Sequence, residues 1–200
     1  MKAFLLDNAE NCQKASPKAK LKAIFLDRDG VINHYPGDGK YVTDIKEFKF
    51  LPGAKKAITL LKKNNFPVFV ISNQAGVGKG VYSQRALAAI TKNMLEGLKK
   101  SHATLDGVYY CTHKQEDNCA CRKPKAGMIQ QALQGKAISV KDSFFIGDTL
   151  RDILTAKAAG CKSILVLSGK EKLANRKNWD TQPDFVFRNL IEAAKFIASL

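Results

Sequence analysis

Apolar residues along this chain come in two kinds of block, and the two kinds alternate. Ala23 to Leu26, Pro67 to Ile71, Gly107 to Tyr110, Ser143 to Ile146, Ser163 to Leu167 and Phe185 to Phe187 are short, nearly continuous apolar runs. Runs of that length predict strands buried on both faces. Between them the apolar positions recur at helical spacing. Ala57, Ile58, Leu60 and Leu61 make one face after Pro52, a residue suited to a first helical turn. Ser83 predicts an N-cap for a helix over 84–100. Further helices are predicted over 127–134, over 150–159 with Gly160 as the stop, and over 190–199. The segment 31–51 holds Pro36, Gly37 and Gly39 and reads as loop.

Strands alternating with helices predict an α/β, three-layer Rossmann-like fold, with a central parallel sheet and helices on both faces. Residues 21–200 are expected to form one domain without a cap insertion. Residues 1–20, ending in Ser16-Pro17-Lys18-Ala19-Lys20, read as a flexible N-terminal arm. No apolar run approaches the ~20 residues that span a bilayer. The first apolar stretch is too short for a signal peptide, and Asp7 and Glu10 follow it. The expectation is a cytoplasmic protein with no membrane partner.

Charge adds a question. The 200 residues carry a net charge of +15. A nucleic-acid surface would explain it, but the Lys and Arg residues are spread along the chain and no basic block is interleaved with aromatics. A lysine-rich surface favouring small anionic substrates is the plainer reading, with no nucleic-acid partner. Gly76-Val77-Gly78-Lys79-Gly80 lacks the spacing and hydroxyl of a nucleotide loop and reads as a rim.

The reactive residues gather at predicted strand ends. Asp27-Arg28-Asp29-Gly30 follows the first strand, Ser72-Asn73-Gln74 the second, Cys111 the third and Asp148 the fourth. In open parallel sheets, ligands bind at those ends. Two carboxylates two residues apart can take different roles, although such a pair alone is more often two solvated loop acids. Asp148 and Asp152 offer oxygen ligands suited to magnesium, or a helix cap and a first-turn charge. Ser72 and the nearby amides can donate to phosphoryl oxygens. Lys123, stiffened by Pro124, offers a cation. Cys111-x-His113 and Cys119-x-Cys121 supply four ligands in one short loop, matching a closed tetrahedral zinc site. An odd total of five cysteines argues against a disulfide framework.

Taken in order, Asp-x-Asp, Ser, Lys and Gly-Asp-x-x-x-Asp resemble the haloacid dehalogenase superfamily of phosphohydrolases, over roughly residues 22–168. The resemblance implies Asp27 as nucleophile, Asp29 as general acid and base, and Ser72 and Lys123 holding the phosphoryl group. It implies magnesium on Asp27, on the Asp29 carbonyl and on Asp148, with Asp152 in the outer shell. The Cys-x-His…Cys-x-Cys-Arg-Lys-Pro run narrows the resemblance to the heptose 1,7-bisphosphate 7-phosphatase branch, with structural zinc. That implies a phosphoric monoester hydrolase, expected to be a monomer, acting on a small phosphorylated sugar for lipopolysaccharide precursors. Histidinol-phosphate phosphatase is a related alternative, and a polynucleotide 3′-phosphatase a more distant one. By the same resemblance Asp38, Gly39, Lys40, Tyr41, Asn73, Gln74, Ala75, Arg122, Lys123 and Thr149 line the substrate. Arg122 would read a second phosphate. Thr149 stands where the family often has Lys, and Ser72 where it often has Thr.

Overall fold

A computed structural model describes residues 21–200, so the predicted N-terminal arm lies outside the described residues. Six strands form one parallel sheet: β1 (Ile24–Leu26), β2 (Val68–Asn73), β3 (Gly107–Cys111), β4 (Phe144–Gly147), β5 (Lys162–Val166) and β6 (Phe185–Phe187). Their spatial order is β3-β2-β1-β4-β5-β6. The order reverses between β1 and β4. Chains leaving those two strands diverge, and the divergence opens a crevice at their C-terminal ends.

Alternation within the strands sends side chains to two separate cores. Ile24, Leu26, Val68, Val70, Phe144 and Ile146 face α1 (Ala54–Lys63), α2 (Gln84–Lys99) and α5 (Leu190–Ala198). Phe25, Phe69, Ile71 and Phe145 face α3 (Gly127–Leu133) and Ala156 of α4 (Leu150–Ala159). On that second face the Phe25 ring stacks on Phe69 at 5.8 Å and on Phe145 at 6.5 Å. Each fully buried Phe there stabilises the fold by about 1.5–3 kcal/mol. This packing holds the three strands that deliver Asp27, Ser72 and Asp148 in fixed register.

The helix boundaries follow local chemistry. The Ser83 hydroxyl accepts the Ala86 N–H at 3.1 Å, as an N-cap should. Gly160 ends α4 in the left-handed region, at φ 77°. Three details differ from the sequence reading. β2 runs on through Ser72 and Asn73, because both pair with β3, so these residues stand in the strand and not beyond it. Pro52 precedes α1, whose N-cap is Gly53. A 3-10 turn at Leu173–Asn178 was not predicted; it carries no buried residue and so no periodic apolar signal. Among the described residues, no helix is long and apolar enough to cross a membrane.

Candidate active site

A cleft of about 410 Å³ occupies the crevice between β1 and β4. Asp27, Asp29, Ser72, Asn73, Lys123 and Asp148 lie in it, between the loop around Tyr35 to Tyr41 and a wall from Thr149 to Asp152. Carboxylate oxygens of Asp27, Asp148 and Asp152 lie within 4.8 Å of one another. The Lys123 ammonium sits among them, 3.1 Å from Asp27 Oδ1 and 2.6 Å from Asp152 Oδ1.

Each group is held by a partner that leaves part of it free. Asp27 Oδ1 accepts the Arg28 N–H at 2.7 Å. Asp148 Oδ2 accepts the Lys170 N–H at 2.8 Å. Gly30 and Gly169 press against that carboxylate so closely that a β-carbon at either would overlap it. Asp152 is fully buried and spends both oxygens: Oδ1 on Lys123, and Oδ2 on the Thr149 N–H (3.1 Å) and hydroxyl (2.6 Å). Lys123 is gripped through its backbone as well. The Asn73 side chain accepts its N–H at 3.1 Å and donates to its carbonyl at 3.2 Å.

Three carboxylates around one ammonium leave a deficit of positive charge, and burial makes that deficit costly. Burial pushes Asp27 up to about 6 from 3.8; Asp152 and Asp29 add to this, while Lys123 and Ser72 oppose it. Asp148 is raised well above the ordinary carboxyl value, first by burial and then by Asp152 and Asp27. Burial alone would discharge Lys123, but Asp152 and Asp27 outweigh it and hold the ammonium charged. A divalent cation beside Asp27 and Asp148 would balance the site, and hard oxygen donors are what magnesium takes. The donor set therefore fits the expected ion.

The shift has a consequence for stability. The folded value of Asp27, about 6, lies above the unfolded 3.8, so the unfolded chain gives up its proton first as pH rises. Without a divalent cation, the site's contribution to stability therefore falls between about pH 4 and pH 6. Asp148 acts in the same sense. Asp148→Asn keeps an acceptor for the Lys170 N–H. In chelator at pH 7.5 it is expected to raise Tm by about 2–4 °C, with the gap closing near pH 4.5. A lower Tm for the variant at both pH values would show that Asp148 is not under charge strain.

The Asp29 carboxylate points to a different set of partners. Oδ1 accepts Arg28 Nε (3.1 Å), Arg28 Nη2 (2.9 Å) and Asn33 Nδ2 (2.8 Å). Oδ2 accepts Arg28 Nη2 and Gln74 Nε2, both at 3.0 Å. The Asp29 side chain keeps 20% exposure toward the cleft, and Arg28 is fully buried.

Several sequence expectations change here. Gln74 and Ala75 were expected at the substrate, but both are buried and neither lines the cleft. Gln74 is consumed inside, donating to Asp29 and to the Ser72 hydroxyl (3.2 Å) and accepting the Tyr82 hydroxyl (2.7 Å). Asn73 lines the cleft, yet its amide is spent on Lys123. Arg122 lines an adjoining cavity of about 220 Å³ instead of the cleft. Asp38, Gly39, Lys40, Tyr41 and Thr149 do line the cleft. Asp38 accepts the Tyr35 hydroxyl (2.6 Å) and Lys170 Nζ (2.7 Å), joining two loops at the rim. Gly76 leaves room for the Tyr41 and Tyr82 rings, whose centroids are 6.1 Å apart. Arg28, Tyr35, Arg151, Lys170 and Glu171 were missed. The loop after β5 could have been examined as another strand end, which would have found Lys170 and Glu171.

The Cys/His loop gathers as its spacing suggests. Cys111 Sγ lies 3.6 Å from Cys119 Sγ and 3.4 Å from Cys121 Sγ, and the Cys119 and Cys121 sulfurs are 3.4 Å apart. His113 Nδ1 is 3.6 Å from Cys111 Sγ and 3.2 Å from Cys121 Sγ. A tetrahedral zinc with arms of about 2.3 Å to sulfur and 2.0 Å to nitrogen has ligand–ligand edges of about 3.5–3.8 Å. The four groups match that figure to within a few tenths of an ångström.

A HAD-hydrolase-like family profile matches residues 120–193. The D-glycero-beta-D-manno-heptose-1,7-bisphosphate 7-phosphatase of Haemophilus ducreyi is 36% identical, over 88% of this chain and 98% of that protein. The chain belongs to this family of phosphatases. The D-glycero-alpha-D-manno-heptose-1,7-bisphosphate 7-phosphatase of Campylobacter jejuni is 34% identical over 88% of this chain and 96% of its own length. Among solved structures, the D,D-heptose 1,7-bisphosphate phosphatase of B. bronchiseptica, complexed with magnesium and phosphate, superposes with a TM-score of 0.83. It is 31% identical and covers 90% of this chain and 99% of that one. The parallel sheet of this phosphatase is thus the HAD fold, and phosphate-ester hydrolysis is the chemistry of its family.

Proposed function

We propose that this phosphatase removes the 7-phosphate of D-glycero-D-manno-heptose 1,7-bisphosphate and leaves heptose 1-phosphate, a precursor for ADP-heptose and the lipopolysaccharide core. One observation carries the reading: Asp27, Ser72, Lys123 and Asp148, from different strand ends and one loop, face a single cleft. We assign it to the cytoplasm and to action as a monomer, as one capless unit.

The Asp27 carboxylate attacks phosphorus, and the bond from phosphorus to the C7 oxygen breaks. Asp29 turns from Arg28 toward the leaving group, takes up a proton from solvent and gives that proton to the departing oxygen. The product on the protein is an aspartyl-phosphate. Asp29 then takes a proton from a water that attacks the same phosphorus, and the bond to Asp27 breaks to release phosphate. The Ser72 hydroxyl and Lys123 hold the phosphoryl oxygens through both steps, where positioning and charge neutralisation supply most of the rate. Magnesium, held by Asp27, Asp148 and the Asp29 carbonyl with Asp152 behind, would offset the repulsion between carboxylate and phosphate. Zinc on Cys111, His113, Cys119 and Cys121 would fix the loop that leads into Lys123.

Phosphate release from both heptose bisphosphate anomers, histidinol phosphate and a 3′-phosphorylated oligonucleotide tests the assignment. The expected result is kcat/KM on a heptose bisphosphate about 100-fold or more above the other two. A preference for histidinol phosphate would move the chain to the histidine branch. A preference for the oligonucleotide with steeply salt-dependent binding would sink the sugar reading.

A further inference from the structure

Two cavities meet at the mouth of the active site. The catalytic cleft and the smaller cavity beside the Cys/His loop share two residues, Lys123 and Arg151. Lys123 is committed to Asp27 and Asp152. Arg151 is exposed, and among the described residues its guanidinium has no hydrogen-bond or ion-pair partner. Only its backbone carbonyl is used, by the Thr155 hydroxyl at 2.7 Å.

The other cations of the smaller cavity are partly engaged. Lys125 Nζ donates to the Asn118 carbonyl (2.9 Å) and side chain (2.6 Å). Arg122 spends Nη1 on the His113 carbonyl at 3.1 Å and keeps its other donors. Two guanidinium groups thus border one small cavity, an unfavourable pairing unless an anion lies between them. Arg151 also stands in the first turn of α4, where a cation opposes the helix dipole. Neither the helix nor the packing favours a cation there, whereas an anion held between the two guanidinium groups would.

Resting on the reading of the Asp27 centre as a phosphomonoesterase, we propose that Arg151 joins Arg122, which the family resemblance already implies at the second phosphate, in binding the substrate phosphate that is not cleaved. Arg151 is then a specificity-determining residue for bisphosphorylated sugars. With one phosphate at Lys123, the second lies across Arg151 in the adjoining cavity. A guanidinium can take it in a bidentate grip that a lysine cannot make. Thr149, whose hydroxyl is tied to Asp152, is not available for the task.

Calorimetric binding to the metal-loaded Asp27→Asn protein separates this inference from catalysis. Heptose 1,7-bisphosphate is expected to bind at least about tenfold tighter than heptose 7-phosphate. Adding Arg151→Gln should shrink that ratio by about tenfold, with partial recovery in Arg151→Lys. Lys92→Gln, an equal loss of charge on α2, should leave the ratio as it was. An undiminished ratio in Arg151→Gln overturns the proposal, as does a collapse in Lys40→Gln instead. Absence of any preference for the bisphosphate in the parent protein overturns it too. Failure of the wild-type protein to hydrolyse the bisphosphate would sink the phosphatase reading alone, since the binding ratio is measured without turnover.

Discussion

Asp27→Asn is expected to lower kcat on heptose 1,7-bisphosphate by about 10⁴-fold or more, because a neutral amide is no nucleophile toward phosphorus. The variant should fold normally. An asparagine oxygen can still accept the Arg28 N–H that now holds Asp27 Oδ1 at 2.7 Å. The change also removes one of three crowded carboxylates. In chelator at neutral pH its Tm should therefore not fall below that of wild type, in keeping with the upward shift of Asp27 to about 6. Steady-state kinetics and a thermal melt on the same preparation check both halves. Turnover within tenfold of wild type would refute the nucleophile assignment. A collapsed Tm would mean that Asp27 holds the fold together instead of straining it.

Loss of the zinc loop should have the second largest effect. Cys121→Ser removes one of the four proposed zinc ligands, and Cys121 is two residues from Lys123. Structural zinc contributes ~10 kcal/mol or more to folding in small zinc-bound peptides. The loop it would brace has little apolar content of its own, with Lys114, Gln115, Glu116, Asp117 and Asn118 exposed or half-buried. Lys123 keeps its other anchors after the change, the paired backbone contacts to Asn73 and the ammonium contacts to Asp27 and Asp152, so its ammonium should lose precision without leaving the site. The expected result is a 10- to 100-fold fall, roughly, in kcat/KM. Hydrogen exchange should lose protection over 112–122, and magnesium binding should be unchanged, since its proposed ligands come from the β1 and β4 ends. An unchanged rate in protein verified to be zinc-free would show that the loop does not position Lys123.

The elements that deliver these residues were legible because their signals are local. Buried strands announce themselves as continuous apolar runs, and the polar residue that ends each run marks the sheet edge. Asp27, Cys111 and Asp148 were placed in that way, and the close grouping of the Cys/His residues could be expected from their spacing alone. What escaped depends on partners distant in the chain. Arg28 carries no local sign of burial, yet it is fully buried because Asp29 and the Tyr110 ring, 5.8 Å away, neutralise and cover it. Gln74 looks like a substrate contact until Tyr82, Ser72 and Asp29 claim its amide. Lys170 enters the site because the loop after β5 returns to Asp148 and to Asp38, the latter 132 residues earlier in the chain. Arg122 and Arg151 could be recognised as cations from the sequence, but only the fold shows that they border one cavity.

On this mechanism a phosphoryl group passes through Asp27. A single turnover with substrate labelled at the 7-phosphate, quenched in acid within the lifetime of the intermediate, tests it directly. The expected result is label bound to the protein, labile to hydroxylamine and located by mass on the peptide that contains Asp27. Label that passes straight to inorganic phosphate, with inversion of configuration at phosphorus, would contradict it.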